Sequence, residues 1–373
     1  MAKLKRIFSI RTLLLIVTIL VSVSLILAYL SPYIHPETSA TIQLFGLAYP
    51  IIILCHLTLL VIWILLRSKW AIFLGVLVLL GGELHMRTFA WGSGDEQQDE
   101  HVIKVLSYNV RLFDRFNIDK GEGDKTKDKI FDYLNKEQPD IACFQEFYHQ
   151  DQPTSFVTKD SLIGLLEAKD YHERYSHKLS GRQNFGIAIF SKYPMIAKGD
   201  IIFPATKKNF NYCIFSDIVV KKDTFRVYNV HMQSIRLQPA DYALFEEENL
   251  KTSGNPSNFL SVIEKIKDAY PIRTSQAQKL IDHIKTSPHP VIVCGDFNDT
   301  PLSYCYNQFN SILTDAFRNS SFGIGKTYAG KIPAGRIDYI FHSPEIGSNT
   351  FKIQKEKLSD HYAILCSLFQ KQE

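Results

Sequence analysis

Six short polar clusters in the later part of the chain contain residue types capable of acid–base or metal chemistry. Five of them end or follow an apolar run that predicts a strand, and the sixth places a carboxylate inside such a run. Taken singly, each is more often a strand-exit turn, a buried ion pair or a structural histidine. The clusters are Ser107-Tyr108-Asn109, Gln145-Glu146, Asn229-Val230-His231, Gly295-Asp296-Phe297-Asn298-Asp299, Ser359-Asp360-His361 and Arg336-Ile337-Asp338-Tyr339-Ile340.

Together the clusters offer two histidines, five acids and three asparagines, with no cysteine among them. Carboxylate and amide oxygens suit Mg²⁺ or Mn²⁺ better than zinc. Histidines beside acids suit proton transfer and charge stabilisation at a phosphoryl group. The set therefore predicts metal-assisted hydrolysis of a phosphate ester.

The elements that must position these residues form one predicted mixed α/β domain over residues 102–371, without internal repeats. The predicted strands are Val102–Asn109, Ile141–Gln145, Ile187–Ser191, Ile214–Val220, Phe225–His231, Pro290–Cys294, Ile337–Phe341 and Ala363–Leu368. The predicted helices are Lys125–Lys136 and Thr274–Lys285.

One segment, Arg236–Tyr270, interrupts this pattern. It is polar at first and then spaces apolar residues as an amphipathic helix does, at Phe259, Val262, Ile263 and Ile266. Packing on the core of the domain is the favoured interpretation, and a lid or membrane-contacting element is the alternative.

The chain resembles the endonuclease/exonuclease/phosphatase superfamily over about residues 103–370. The resemblance rests on seven motifs in family order: LSYNV (106–110), CFQE (143–146), FGIAIFSKYP (185–194), YNVHMQS (228–234), VIVCGDFND (291–299), GRIDYIF (335–341) and LSDHYAI (358–364). It implies an α/β (α+β) four-layer sandwich like that of deoxyribonuclease I, and a metal-dependent phosphoesterase.

The resemblance also implies the metal ligands. Glu146 matches the principal ligand of Mg²⁺ or Mn²⁺, with Asn109 beside it. Asp360 matches an acid that binds the metal or lies close to it.

Four further roles follow from the same motifs. Asp296 matches the group that activates the attacking water, and Asn298 matches the amide that contacts the phosphoryl oxygens. His361 matches the histidine that donates to the phosphate, and Asp338 matches the carboxylate that orients it.

His231 matches a histidine that secreted nucleases, sphingomyelinases and phosphatases of the superfamily carry, which favours those branches over abasic-site repair. It is the candidate acid for the leaving oxygen. In the deoxyribonuclease branch this histidine pairs with an upstream carboxylate, and the corresponding stretch 180–186 contains no acid. Arg182, in that stretch, is a candidate substrate-phosphate contact or a solvated loop residue.

The charge of the chain is divided unevenly. Residues 1–94 carry seven Lys/Arg and two acids, and the remainder carries 35 basic and 36 acidic residues. A sequence-independent nucleic-acid binder usually displays an excess of cationic side chains. The net charge of +4 is therefore no argument for DNA binding.

Residues 1–92 predict a membrane region with three helices, about 10–30, 42–66 and 70–90, followed by a linker at 93–101. The first run is long for a signal peptide and lacks a small-residue cleavage site. The third is the weakest, because Glu83, His85 and Arg87 must lie near a membrane surface. A re-entrant or surface helix is its alternative.

The third span decides the side of the membrane. With the N-terminal basic cluster and the Arg67–Lys69 loop both cytoplasmic, three spans place the domain 102–371 outside the cytoplasm, in the cell or inner membrane. Two spans would leave it in the cytosol. Cysteine spacing predicts neither a zinc site nor a disulfide.

The favoured function is thus a membrane-anchored, Mg²⁺-dependent phosphodiesterase or phosphatase, including a nuclease. Its substrate is a lipid headgroup, a small phosphodiester or nucleic acid, and the sequence leaves this choice open. Membrane lipid is the predicted contact of the N-terminal helices, and no obligate protein partner is inferred. The alternative is a receptor or scaffold that keeps the fold without the chemistry. A transporter would need more polar residues inside the spans.

Overall fold

The structure is a computed structural model that describes residues 2–96, 102–116, 123–203, 211–235, 241, 256–330 and 335–371. Parts of the predicted linker 93–101 and of the segment 236–270 lie outside these residues. The chain forms two compact units. The helical unit comprises Met1–Thr88 and Asp299–Asn307, and the α/β unit comprises Phe89–Asn298 and Gln308–Glu373.

The helical unit contains α1 (Ala2–Leu30), α2 (Pro36–Leu65) and α3 (Trp70–Thr88). Each is long and apolar enough to cross a membrane, and α3 is the least apolar of the three. The ionic residues of α3 are paired within the unit. Arg87 lies 3.2 Å from Glu83 and donates to Asn307 Oδ1 at 3.0 Å, so a charge near the end of α3 is buried with partners.

The α/β unit is built on two sheets of six described strands each. The first has the order β13-β14-β2-β3-β5-β4, and the second has the order β10-β12-β9-β8-β7-β6. The strands of the first are β2 (Ile103–Asn109), β3 (Ile141–Gln150), β4 (Asp170–Leu179), β5 (Gln183–Ser191), β13 (Ile346–Ile353) and β14 (Ile364–Gln370). Those of the second are β6 (Met195–Ile201), β7 (Tyr212–Val220), β8 (Asp223–His231), β9 (Val291–Asp296), β10 (Thr314–Asp315) and β12 (Asp338–His342).

The two sheets face each other across an aliphatic core. Val105 and Ile141 of the first sheet and Val227 and Ile292 of the second belong to one buried cluster. Strands buried on both faces are apolar almost continuously, which is why these runs are recognisable in the sequence.

Helices cover the outer faces. On the first sheet, Ile130 of α4 (Gly123–Glu137) and Leu162 of α5 (Thr158–Leu165) pack with Leu106 in a second cluster. On the second sheet, α6 (Pro256–Ile284) places His283 Nδ1 at 2.9 Å from the Tyr228 hydroxyl of β8. The four layers are therefore helix, sheet, sheet and helix, as the resemblance implied.

The α6 helix joins two segments that the sequence analysis kept apart. The predicted helix from Thr274 extends back through Pro271 to Pro256, so the amphipathic stripe lies on the same helix. Val262 is buried while Phe259 is 58% exposed, so this stripe is only partly covered.

The remaining described elements are short. They are a 3₁₀ turn Arg111–Asp114, helices α7 (Tyr304–Asn310) and α8 (Ala316–Ser320), and strands β1 (Phe89–Trp91) and β11 (Phe322–Ile324), which pair as a separate two-stranded sheet. All six cysteines are free.

Candidate active site

Asp296, the last residue of β9, lies at the centre of the polar clusters. The strands on either side place His231 of β8 and Asp338 of β12 directly opposite it in register. The close approach of β8 depends on Gly295, because a Cβ there would lie 2.0 Å from the Val230 carbonyl oxygen. Strand pairing alone therefore brings three functional groups to one edge of the second sheet.

His361 and Asp338 form a buried pair beside Asp296. His361 Nδ1 lies 3.0 Å from both carboxylate oxygens of Asp338, and its Nε2 lies 3.6 Å from Asp296 Oδ2. Although burial opposes its charge, the carboxylates of Asp338 and Asp296 raise the pKa of His361 to about 10. The imidazole is therefore a cation at neutral pH.

Two neighbours hold this pair. The Tyr328 ring packs edge-on against the His361 ring at 5.3 Å between centroids. Thr327 Oγ1 accepts a hydrogen bond from the backbone N–H of Asp338 at 3.1 Å. The short segment 327–328 thus fixes both members of the pair.

Asn109 connects the first sheet to Asp296. It ends β2, and its Nδ2 donates to Asp296 Oδ2 at 3.0 Å and lies 3.5 Å from Glu146 Oε1. Glu146 sits at an irregularity in the pairing of β3 with β5 and has a φ of 48°. This left-handed backbone re-aims its side chain out of the strand's regular alternation.

Glu146 keeps 38% of its side chain exposed. Restricted hydration nevertheless raises its pKa to about 7, and the charge of Asp360 acts in the same direction. Asp360 is itself partly exposed and lies 3.9 Å from Arg111 Nε. The acids at this end of the site therefore repel one another.

The loop after β9 positions Asn298. Its backbone N–H and side-chain Nδ2 both donate to Asp296, at 2.9 and 3.2 Å, and its own φ is 53°. Its carbonyl accepts a hydrogen bond from the guanidinium of Arg273 on α6. The loop is thus tied to the carboxylate in front of it and to the helix behind it.

His231 faces the same carboxylates without a hydrogen bond at Nε2. This buried atom lies 3.7 Å from Asp296 Oδ2 and 3.9 Å from Glu146 Oε1. Burial lowers the pKa of His231. The ring therefore directs a nitrogen without a hydrogen bond at two acids.

Arg182 does not join this cluster. It lies in the β4–β5 turn, and its Nη2 donates to the carbonyls of Asp151 and Pro153 at 2.8 and 3.1 Å. These hydrogen bonds hold the β4–β5 turn against the 151–153 loop.

The sequence profile described as "Endonuclease/Exonuclease/phosphatase family" matches residues 106–361, which contain every polar group described above. The chain belongs to the endonuclease/exonuclease/phosphatase family. Nucleases and phosphatases both hydrolyse phosphate esters, so the chain is a phosphoesterase hydrolase. A domain of unknown function, DUF8431, matches residues 11–89. No curated protein matches the chain.

Solved structures of this family share the fold. An endonuclease/exonuclease/phosphatase from Bacteroides vulgatus is 18% identical with a TM-score of 0.54, covering 73% of this chain and 100% of its own. The human nocturnin catalytic domain, with a bound sulfate anion, is 19% identical with a TM-score of 0.53, covering 74% and 97%. A mannosyl-6-phosphatase from Bacteroides thetaiotaomicron is 18% identical with a TM-score of 0.51, covering 72% and 99%.

Family membership implies a divalent metal, and the donor set fits one. Glu146 and Asp296 both approach a single amide donor on Asn109, and a buried imidazole nitrogen nearby has no hydrogen bond. Surplus oxygen acceptors of this kind are what a hard cation neutralises. Ligand atoms of Asp296, Asp338 and His361 also lie within 4.8 Å of one another, but the ring of His361 is already bonded to Asp338.

Sequence reasoning named Asn229 and Gln145 among the polar clusters but missed that they join the two sheets behind the site. Asn229 of β8 donates to the carbonyls of Phe144 and Ala188 at 2.9 Å each, and its Oδ1 accepts from Gln145 at 2.7 Å. It is fully buried. A buried asparagine and glutamine in otherwise apolar strands are the signal that could have revealed this bridge.

Proposed function

We propose that the protein is a membrane-anchored, Mg²⁺-dependent hydrolase of phosphate esters. One observation carries the proposal: the Asp296 carboxylate lies 3.6 Å from His361 Nε2 and 3.7 Å from His231 Nε2, and accepts from Asn109. The Asp296 carboxylate as base, the cationic imidazole of His361 and the imidazole of His231 therefore lie close together.

Asp296 accepts a proton from the attacking water. Burial raises its pKa, and the charge of Asp338 acts in the same direction. A carboxylate with a raised pKa is a stronger base than one in water. The hydrogen bonds from Asn298 and Asn109 hold it in one orientation.

His361 stabilises negative charge on the phosphoryl oxygens as they develop it. Asp338 occupies Nδ1 and so leaves the Nε2–H free to donate toward the substrate. The amide of Asn298 donates to Asp296 Oδ2, the same oxygen that His361 Nε2 approaches, and is a second candidate contact for the phosphoryl oxygens. Asp338 acts through His361 and is a positioning residue.

His231 protonates the leaving oxygen in this scheme. Its Nε2, 3.7 Å from Asp296 Oδ2, takes up the proton that Asp296 accepts from the attacking water and passes it on. Its unpartnered Nε2 faces Asp296 and Glu146, which together take the place of the upstream carboxylate absent from residues 180–186. Arg182 remains a candidate contact for substrate phosphate only if its bonds to the 151–153 loop are exchanged.

Glu146, Asn109 and Asp360 are the proposed ligands of Mg²⁺ or Mn²⁺. When bound, the ion supplies a Lewis acid that polarises the phosphoryl group. The exposed side of Glu146 gives it access from solvent.

In this proposal the three apolar helices anchor the enzyme, and the charge pattern of their loops supports an α/β unit outside the cytoplasm. The substrates are then extracellular, periplasmic or outer-leaflet phosphate esters. A scaffold without activity is the competing function. The retained set of Glu146, Asp296, Asn298, Asp338 and His361 argues against it, because loss of catalysis normally removes at least one such residue.

The full-length protein in detergent tests the proposal. It is assayed with Mg²⁺ and with excess chelator against plasmid DNA, phospholipid phosphate esters and bis(p-nitrophenyl) phosphate. Mg²⁺-dependent hydrolysis of at least one substrate supports the proposed function. Its absence for all three, in protein that binds Mg²⁺, would favour the scaffold.

A further inference from the structure

The two-stranded sheet of β1 and β11 presents an apolar face to solvent. Trp91 lies opposite Phe322, and Phe89 lies opposite Ile324, so all four side chains share one face. Trp91 is 66% exposed, Phe322 70% and Ile324 72%. Large apolar side chains clustered on an exposed face mark an interaction surface.

The opposite face of this sheet packs on the core of the α/β unit. Ala90, which alternates with Phe89 and Trp91, is 1% exposed and belongs to the core between the two main sheets. The small sheet is therefore held on the α/β unit by a small side chain, while its large ones point away. We define Phe89, Trp91, Phe322 and Ile324 as the aromatic face.

The exposed rings are packed against one another. The Trp91 and Phe322 centroids are 5.2 Å apart with an interplanar angle of 79°, and Phe89 lies 5.5 Å from Phe322. Edge-to-face contacts of this kind keep the rings in a fixed array. The face is thus ordered before any partner binds it.

Chain connectivity identifies the partner. Phe89 directly follows Thr88, the last residue of α3, which is apolar enough to cross a membrane. Three residues of extended chain reach at most about 11 Å, so Trp91 cannot lie farther than this from the end of α3. The end of a membrane-spanning helix lies where headgroups meet acyl chains, and tryptophan is enriched there. Phenylalanine accompanies tryptophan on apolar faces that bury in this interface. Lys326, exposed just after β11, suits anionic headgroups.

The same sheet is joined to the catalytic pair by a short connection. Ile324 accepts a turn hydrogen bond from the backbone of Lys326 at 3.2 Å. The next residue, Thr327, accepts from Asp338, and Tyr328 packs on His361. Only three residues, 325–327, therefore separate Ile324 of the aromatic face from Tyr328, which contacts His361.

We propose that the aromatic face inserts into the lipid interface and holds the active site at the membrane surface, where phosphate esters of lipid headgroups are its substrates. Insertion of the aromatic face does not require the protein to be an enzyme, whereas the substrate class rests on the proposed function.

Insertion is measured on the full-length protein in nanodiscs of phosphatidylcholine and phosphatidylglycerol. Cys55→Ala removes the exposed native cysteine, the other five being buried. A polarity-sensitive fluorophore is attached at Phe322→Cys or, as the matched control, at Ile196→Cys on β6, which is 64% exposed. We expect lipids with brominated acyl chains to quench the probe at 322 and not at 196. Equal quenching at both sites, or no quenching at 322, would overturn the proposal that the aromatic face inserts into lipid. Burial of the 322 probe in a protein dimer without lipid would overturn it as well.

The substrate class is measured with the combined variant Trp91→Ser, Phe322→Ser and Ile324→Ser. Hydrolysis of sphingomyelin and phosphatidylinositol phosphates in nanodiscs is compared with that of soluble bis(p-nitrophenyl) phosphate. We expect the lipid rate to fall about tenfold, equivalent to about 1.4 kcal/mol, with the soluble rate unchanged. The control Leu179→Ser with Ile196→Ser should change neither rate. Unchanged lipid hydrolysis, or an equal fall in both rates, would overturn the proposal that phosphate esters of lipid headgroups are the substrates. Wild-type protein inactive on every ester contradicts the proposed function and leaves the quenching result standing.

Discussion

His361 and Asp338 form a bond in which one imidazole nitrogen faces both oxygens of a carboxylate, at 3.0 Å each. His361 lies in the loop that leads into β14 of the first sheet, and Asp338 begins β12 of the second sheet. The pair therefore connects this loop to the second sheet. Because both side chains are buried, the carboxylate stabilises the charged imidazole far more than it would in water.

This coupling can be measured. We expect His361→Ala to lower kcat by about 10² to 10³, and Asp338→Asn to have a comparable or milder effect because it acts through His361. Since one group works through the other, the double variant should lose much less than the product of the two single effects. If the loss in the double variant equals the product of the two single losses, the proposed orientation of His361 by Asp338 is contradicted.

Asp296→Asn should lower kcat by about 10² to 10³, because an amide cannot accept the proton of the attacking water. The substitution preserves the shape of the side chain at the end of β9. Asp268→Asn, at an exposed position of α6, is the matched control and should leave kcat unchanged. Full activity of Asp296→Asn would assign the proton to another group.

Glu146→Gln should abolish Mg²⁺ binding and metal-dependent turnover while leaving the fold intact. The neutral amide removes a negative charge and a carboxylate oxygen from the proposed ligand set, and Mg²⁺ binds charged oxygen ligands preferentially. Calorimetric titration with Mg²⁺ and circular dichroism check the two parts separately. Glu356→Gln, at an exposed position, serves as the control. Metal-dependent activity in Glu146→Gln would show that the principal ligand lies elsewhere.

Asn229→Ala should destabilise the α/β unit by about 2 to 4 kcal/mol, because it removes hydrogen bonds to Phe144, Ala188 and Gln145 in a fully buried position. Thermal unfolding of the full-length protein in detergent measures the change. Asn135→Ala, on the exposed face of α4, should shift the midpoint little. A matching small shift for Asn229→Ala would mean that the sheets are held by the aliphatic core alone.

The charges of the loops predict on which side of the membrane the α/β unit lies. Basic residues precede α1 and lie between α2 and α3, while the segment 31–41 contains no Lys or Arg. With three spans, a reporter fused after Glu373 should show strong alkaline phosphatase activity and no cytoplasmic fluorescence from GFP. The opposite pattern would leave two spans and a cytosolic enzyme.

The sequence by itself determined the family, the layered fold and the three apolar helices. The motif residues stand out because polar groups such as Asp296 and Glu146 follow runs that are apolar on both strand faces. Six of the described strands escaped sequence reasoning. β1, β10 and β11 have only two or three residues each. The longer three, β4, β6 and β13, lie at sheet edges, and β4 has no fully buried residue, so solvent allows them a polar composition without a regular pattern.

The tertiary structure decided which of the candidate residues meet. Asn109 reaches Asp296 only because two sheets pack face to face, and Arg182 remains on a turn of its own, although the sequence offered both as site residues. The partners of Asn229 in the other sheet, and the pairing that forms the aromatic face, were likewise decided by the folded chain. Spacing along the chain specifies periodicity and strand ends, whereas contacts between sheets depend on register and packing, which only the folded chain defines.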